Sequence, residues 1–442
     1  MSARKVALAV VRDVFNLEFA QRRTAQESLN YHLRKGPLEA RDRGFATEAS
    51  YGAIKMRRLT QWYLTPYTGK REKSLPTVIN EILHLALYEL LFMRSPEHAV
   101  VSEYVGLAKM FGHRGTAGLV NAVLRGFLRE RPPAPEASAF DDPDDYLATK
   151  YSFPTWIVKQ WRARFGDERL EEMLAGVNGP ARAAVSVNAL RTDIQSVEAT
   201  FAGHGVTTAR SRFVDDTLLL ESGAYAQSHE SGADGAWVVH SESAAMPVDI
   251  MNPQPGETVL DLCSGRGNKA LQEGSRLGGD GGLTCVEKDA RKAAALEVRL
   301  RAGGVAAAVV VGDATQTVVD ARFDRVILDA PCSGTGTLGR HPEARWRKSI
   351  EDGARLAELQ RALLEQAANN LHPGGVFIYA VCSTDPRESD DVVSAFMERN
   401  NFARGLVPGR YEELLSAAGD VVVVPGIEGR DGFYIARLER GA

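Results

Sequence analysis

The sequence predicts a multidomain protein with an all-α N-terminal bundle, a small α+β segment, and a C-terminal α/β domain built on a parallel sheet. Three observations lead there. Residues 1–131 show helical punctuation with almost no strand signal, and a Pro-rich, acidic stretch follows, from Arg131-Pro-Pro-Ala-Pro to Asp141-Asp-Pro-Asp-Asp. From Glu257 onward, short apolar runs alternate with helical stretches. A length of 442 residues exceeds one ordinary domain.

Val6, Ala9, Val10, Val14 and Phe15 recur at helical spacing, as do Ile79, Ile82, Leu83, Leu85, Ala86 and Leu90. Ser102 to Arg131 gives a helix or a pair of helices, broken near Gly112 to Gly115. The Pro-rich linker closes this first domain, placed at residues 1–135.

A second segment, 144–245, mixes types. Trp156 to Ala175 reads as helices broken near Gly166-Asp167. The run Ala184-Val-Ser-Val-Asn188, the helical Ile194 to His204 and the apolar Thr217 to Glu221 suggest a small β-α-β unit.

The third domain, 246–442, contains the buried-strand candidates Thr258–Leu262, Leu283–Val286, Ala307–Val311, Arg325–Leu328 and Val376–Val381. Leu356, Leu359, Leu363, Leu364 and Leu371 give its clearest helical stripe. Val421–Val424 and Phe433–Leu438 suit a closing hairpin. In such a sheet, ligands sit at the carboxyl ends of the strands.

Charge and cysteine usage narrow the function. The net charge of −4 conceals an asymmetry: residues 1–131 hold 21 Lys and Arg against 12 Asp and Glu, while the remainder is acidic. A basic block on an acidic body suits a nucleic-acid-binding module joined to an enzyme, although a solvated helical surface has the same composition. No apolar run reaches the roughly 18 residues of a membrane span. Leu83 to Met93 is interrupted by His84 and Glu89 and reads as a buried helix. Without the apolar core of a signal peptide, the N-terminus leads us to expect a cytoplasmic, membrane-free protein, and a monomer. The four cysteines, Cys263, Cys285, Cys332 and Cys382, form no C-x-x-C pair, so no metal is expected.

Three loops are candidates for chemistry. Val259-Leu-Asp-Leu-Cys-Ser-Gly-Arg-Gly-Asn-Lys269 runs from a strand through a Gly-containing loop into a helix, where bare backbone amides favour an anionic group. Glu287, at the next strand end, suits ribose hydroxyls, and Asp313, at the third, suits an adenine amine. Loop, Glu and Asp on successive strand ends point to an adenosine-containing cofactor. Asp329-Ala-Pro-Cys-Ser-Gly-Thr-Gly336 and Tyr379-Ala-Val-Cys-Ser-Thr384 each set a Cys just beyond a buried strand. Cys285, inside a strand, is read as a small hydrophobe. The residues alone leave open which of Cys332 and Cys382 is the nucleophile.

Those two cysteine motifs, with Arg340-His-Pro-Glu-Ala-Arg-Trp346 after the first and Pro386 and Glu388 after the second, resemble the RsmB/Nop/Sun family of RNA 5-methylcytosine methyltransferases. Asp431-Gly-Phe-Tyr-Ile-Ala-Arg437 fits that family's last strand. Asp42-Arg-Gly-Phe-Ala-Thr-Glu-Ala-Ser-Tyr-Gly52 and Val120-Asn-Ala-Val-Leu-Arg-Gly126 resemble the NusB-like RNA-binding domain of the bacterial RsmB branch. The resemblance spans nearly the whole chain.

It implies a Rossmann-like S-adenosylmethionine-dependent methyltransferase domain preceded by an RNA-recognition-like extension. By that resemblance Cys382 is the nucleophile, Cys332 assists product release, and Asp329 holds the cytosine and borders the methyl donor. Cys263, Ser264, Gly265, Arg266, Gly267, Asn268, Lys269, Glu287 and Asp313 would bind S-adenosyl-L-methionine. Arg340, Arg345, Trp346, Arg347 and Lys348 would line the RNA path, with 16S ribosomal RNA the expected partner. A solvated loop anchored by one Trp is the competing reading of that cluster.

The chain departs from the family's usual Cys-Ala-Ala-Pro-Gly-Gly-Lys-Thr. Arg266 replaces the Pro and Asn268 the second Gly; Asn tolerates left-handed backbone, so the turn is expected to survive. His240-Ser241 and Val381 replace the usual Gln-Asp and Thr. A transfer RNA cytosine methylase, a DNA cytosine methylase and a non-catalytic RNA-binding factor are the alternatives.

Overall fold

The computed structural model describes residues 2–15, 23–36, 38–69, 75–221, 235–316 and 319–441. They fall into two compact units: one runs to Leu174 and includes Arg340–Arg347, and the other holds Ala175–Gly339 and the chain from Lys348 onward. Among the described residues, no helix is long and apolar enough to cross a membrane.

The first unit is helical, as its punctuation predicts. Its helices are α1 (Ala3–Phe15), α2 (Ala25–Lys35), α3 (Ala40–Lys55), α4 (Arg57–Thr68), α5 (Thr77–Phe92), α6 (Glu97–Phe111), α7 (Arg114–Glu130), α8 (Pro143–Lys150) and α9 (Thr155–Phe165). Helix α5 is apolar on nearly every side, so it becomes the central element, with α1, α3, α4, α6 and α7 packed around it. Its two buried acids are not left bare. Glu89 meets Arg4 at 2.5 Å and Glu81 meets Arg57. The break expected near Gly112 is the α6–α7 junction, where His113 and Thr116 form a reciprocal cap. Arg58 ties α8 and α9 to this unit, through Thr149 Oγ1 at 3.0 Å and Thr155 Oγ1 at 2.8 Å.

The second unit starts within α10 (Leu170–Asn178) and contains two sheets. The smaller consists of β1 (Ala184–Val187), β2 (Thr208–Arg210), β3 (Thr217–Leu220) and β4 (Trp237–His240), backed by α11 (Ile194–Gly203). Its strand order is β2-β3-β1-β4, with every neighbouring pair antiparallel. The expected β-α-β unit needs correction: β1 and β2 flank α11 in sequence, but β3 folds back between them after a short turn. Trp237–His240, not read as a strand, completes the sheet.

The larger sheet follows α12 (Glu242–Met251). It comprises β5 (Val259–Leu262), β6 (Leu283–Glu287), β7 (Ala307–Val311), β8 (Phe323–Asp329), β9 (Leu371–Val381), β10 (Phe402–Arg404), β11 (Val421–Val423) and β12 (Phe433–Arg440). Between these run α13 (Asn268–Arg276), α14 (Ala290–Ala302), the short α15 (Ala344–Arg347, within the first unit), α16 (Ile350–Asn369) and α17 (Asp390–Met397). The strand order is β10-β12-β9-β8-β5-β6-β7, with β11 on β12. Strands β5 to β9 are parallel, whereas β12 is antiparallel to β9. The expected hairpin is β11–β12, in register Val421↔Ile435. Leu371, read as the end of the helical stripe, is the first residue of β9.

The topology locates the site. The chain lays down β5, β6 and β7 in one direction, then crosses back to place β8 on the other side of β5. The carboxyl ends of β5 and β8 flank that switch point, where an open α/β sheet leaves a crevice. The helix start after β5 carries Lys269, and the loops after β8 and β9 carry Cys332 and Cys382.

Candidate active site

The loop after β5 is held open by backbone geometry. Cys263, Gly265 and Gly267 have φ of 64°, 61° and 80°, a left-handed conformation that a Cys adopts only at some cost. Gly267 is needed twice over, because a Cβ there would lie 2.3 Å from Leu296 Cδ1. Gly265 leaves its backbone open: an added Cβ would meet only Cys263 O, at 3.9 Å. Glu287, at the end of β6, accepts from Gly265 N at 2.9 Å and Asp289 N at 2.8 Å, so the expected ribose ligand also fixes the loop. Asp313 lies beyond β7 with Lys288 Nζ at 2.7 Å, and that contact leads the causes that pull its carboxyl down to about 2.

Asn268 requires a correction. It opens α13 behind the N-cap Gly267 and has no left-handed backbone. Its side chain instead accepts from Arg299 and donates to Val239 O at 3.4 Å. An ordinary helix start therefore tolerates the replaced glycine. Arg266 is exposed.

Lys269 points back under the loop and meets Asp329 Oδ2 at 2.5 Å. Burial alone would push its ammonium down, but the Asp329 carboxylate outweighs this and Lys269 titrates above its ordinary value, with Cys382 adding to the rise. Beneath them, burial raises the Asp261 carboxyl to about 7 and the Glu273 carboxyl well up.

The two cysteine loops converge. Cys332 and Cys382 are free thiols with their sulfurs 3.4 Å apart, both partly exposed. Contact with Cys382 first, and burial second, push the Cys332 thiol well above the usual range. Gly336 N donates to Cys382 O at 2.9 Å, and Gly432 N donates to Gly336 O at 2.8 Å, so both loops are stitched to the entry of β12. The fold thus gathers Lys269, Asp329, Cys332 and Cys382 at the switch point. Among the described residues, no group of His, Cys, Asp and Glu is arranged to hold a metal ion.

The expected RNA-lining cluster is corrected at Arg345, and Trp346 and Arg347 each direct a donor to a backbone carbonyl. Arg345 is fully buried and lies 4.0 Å above the Phe153 ring. It donates to Ser152 O at 3.0 Å and Lys55 O at 3.4 Å, and burial lowers its pKa to about 9. Trp346 Nε1 donates to Ile54 O at 2.7 Å, and Arg347 to Val14 O at 2.7 Å. Ile54, Lys55 and Val14 sit in the last turns of α3 and α1, where carbonyls lack helical donors. These side chains cap helix ends inside the first unit. Arg340, Trp346, Arg347 and Lys348 are partly exposed.

Sequence reasoning gave no role to Glu388, whose buried carboxylate joins the two cysteine loops. The available signal was a Ser directly after each Cys, with Asp385 and Glu388 following the second.

Comparisons with known proteins agree along the whole chain. Residues 248–439 match the family described as 16S rRNA methyltransferase RsmB/F, residues 1–129 match the NusB family, and residues 153–226 match the RsmF/B-like ferredoxin-like domain. A ribosomal RNA small subunit methyltransferase B from Thermus thermophilus is 35% identical, covering 99% of this chain and 97% of its own. Its counterpart from Vibrio cholerae is 30% identical over 91% of each. Among solved structures, PH0851 superposes with a TM-score of 0.83 at 22% identity, covering 100% of this chain and 99% of that one. NSun6 from Pyrococcus horikoshii, solved with SFG, gives 0.58 at 16% identity, covering 66% of this chain and 99% of that one. At these identities the two structures speak for the fold.

Proposed function

Because the chain belongs to the 16S rRNA methyltransferase RsmB/F family, we propose that it methylates carbon 5 of a cytosine in small-subunit ribosomal RNA through a covalent thiolate adduct. The observation that carries this reading is the pair of sulfurs 3.4 Å apart beside the Lys269–Asp329 ion pair. An RNA methylase acting on a ring nitrogen or a ribose needs no thiol; carbon 5 of cytosine, a poor nucleophile, does.

S-adenosylmethionine, when bound, supplies the electrophilic methyl group. The loop Cys263 to Lys269 would hold its amino-acid end, and Glu287 and Asp313 would hold its ribose and adenine; the three left-handed residues and the open backbone at Gly265 suit such a close approach. Cys382, next to the Lys269 ammonium, adds as a thiolate to carbon 6 of the cytosine. That bond breaks the ring's aromaticity and moves electron density to carbon 5, which then takes the methyl. Asp329, oriented by Lys269, stabilises the charge that develops at N3 and the exocyclic amine. Cys332 assists the second stage, in which the proton on carbon 5 passes to water, its electron pair restores the double bond between carbons 5 and 6, and Cys382 departs as a thiolate. The basic N-terminal block, together with Arg340 and Lys348, binds the RNA.

The test is methyl transfer from labelled S-adenosylmethionine to unmodified 16S RNA, offered both naked and in small-subunit particles, followed by nucleoside digestion. Label is expected in 5-methylcytidine and in no other nucleoside. Label elsewhere, or none from folded protein that binds the donor, would overturn the proposal.

A further inference from the structure

Each reactive cysteine is followed by a serine: Cys332-Ser333 and Cys382-Ser383. The two serines turn away from solvent and meet at one carboxylate. Glu388, on the turn Pro386–Glu388, is fully buried. Its Oε2 accepts from the hydroxyls of Ser333 and Ser383, the latter at 2.5 Å. Its Oε1 accepts from Ser333 N at 2.8 Å and from Gln360 Nε2 at 3.1 Å. Gln360 Nε2 also donates to Pro331 O at 3.0 Å, just ahead of Cys332. The backbone carbonyl of Glu388 accepts from Tyr379 OH at 2.7 Å, on the strand leading to Cys382.

We propose that Glu388 is a positioning residue: its buried carboxylate sets the separation of the two thiols by holding the serine that follows each of them. The proposal rests on the cysteine chemistry proposed above. A buried carboxylate is expensive, and a core needing only bulk there would be served as well by an apolar side chain. Four donors converging on two oxygens make the group a rigid strut between loops from different strands. With both serines pinned, the thiols cannot drift apart as the RNA enters. The Glu388 charge also adds to the effects that keep Cys332 protonated, behind the Cys382 contact and burial.

The test uses the full chain with Glu388→Ala, Glu388→Gln and the double change Ser333→Ala with Ser383→Ala. Dibromobimane joins two thiols only when both are within its reach, and peptide mapping identifies the Cys332–Cys382 product. A second readout separates kcat from KM for S-adenosylmethionine. In Glu388→Ala, bridging and kcat should both fall roughly 10- to 100-fold while KM holds, because the cofactor loop is untouched. Glu388→Gln should restore both, since its amide oxygen keeps the Ser333 N and Gln360 bonds and the hydroxyls can turn to accept.

Folded Glu388→Ala that bridges and methylates like the parent would overturn the proposal, as would a Gln variant no better than Ala. If Glu388→Ala does not fold, the double serine variant decides: slow bridging supports the strut and parental bridging refutes it. Bridging needs neither RNA nor donor, so a parent that bridges but makes no 5-methylcytidine would refute the chemistry and still judge the strut.

Discussion

Gly336→Ala is the substitution whose consequence follows most directly from the packing. Gly336 sits four residues after Cys332, and an added Cβ would lie 2.1 Å from Gly432 O, 2.7 Å from its carbonyl carbon and 2.9 Å from its Cα. Ordinary contact begins near 3.4 Å, so one strand of backbone must retreat by about 1.3 Å. No flexible side chain can absorb that shift. It is opposed by two hydrogen bonds: Gly336 N to Cys382 O at 2.9 Å and Gly432 N to Gly336 O at 2.8 Å. Overpacking costs about 1–3 kcal/mol, and each strained hydrogen bond about 1 kcal/mol. A total loss of about 3–5 kcal/mol is expected in a urea melt. A displacement near 1 Å at the thiols should lower single-turnover methyl transfer about 100-fold. Affinity for S-adenosylmethionine should hold, because the loop from Cys263 to Lys269 is not displaced. Gly44→Ala is the control: mid-helix with nothing near its Cβ, it should stabilise by about 1 kcal/mol. A folded Gly336→Ala with parental stability and turnover would refute this packing argument.

Three further outcomes are expected. The Asp261 carboxyl, raised to about 7 by burial, favours its neutral form in the fold, so it contributes stability below the ordinary carboxylate range that is lost as pH rises through 7. Asp261→Asn should flatten that decline in melting temperature between about pH 4 and pH 7; parallel curves would contradict it. Arg345→Ala should cost about 2–4 kcal/mol through its cavity and the carbonyls it leaves bare, without changing the salt dependence of RNA binding. A shallower salt slope would return Arg345 to the RNA surface. Glu287→Gln should weaken S-adenosylmethionine binding about tenfold, close to 1.4 kcal/mol by calorimetry; unchanged affinity would remove this carboxylate from the cofactor site.

The residues that fill the sheet were legible because buried parallel strands read as apolar runs ending in loops of unusual composition. Those same ends announced Glu287, Asp313, Asp329, Cys332 and Cys382. What stayed hidden depended on partners distant in sequence. The strand Trp237–His240 is only four residues long, and its pairing with Ala184–Val187 leaves no periodic trace. Arg345, Trp346 and Arg347 look like a basic-aromatic RNA motif, yet each donates to a backbone carbonyl some 190–330 positions away. Asn268 was judged by its tolerance of a strained backbone, whereas the fold asks it only to begin a helix and receive Arg299. Glu388 was visible as a motif letter, but its work lies in the convergence of two serines from separate strands.

In the proposed reaction Cys382 attacks the base and Cys332 releases it. Its most direct test is a denaturing gel of Cys332→Ala and Cys382→Ala after incubation with S-adenosylmethionine and unmodified 16S RNA. A slow-migrating protein–RNA band is expected from Cys332→Ala and none from Cys382→Ala. A band from Cys382→Ala alone would reverse the two roles, and a Cys382→Ala protein that still makes 5-methylcytidine would contradict the covalent mechanism.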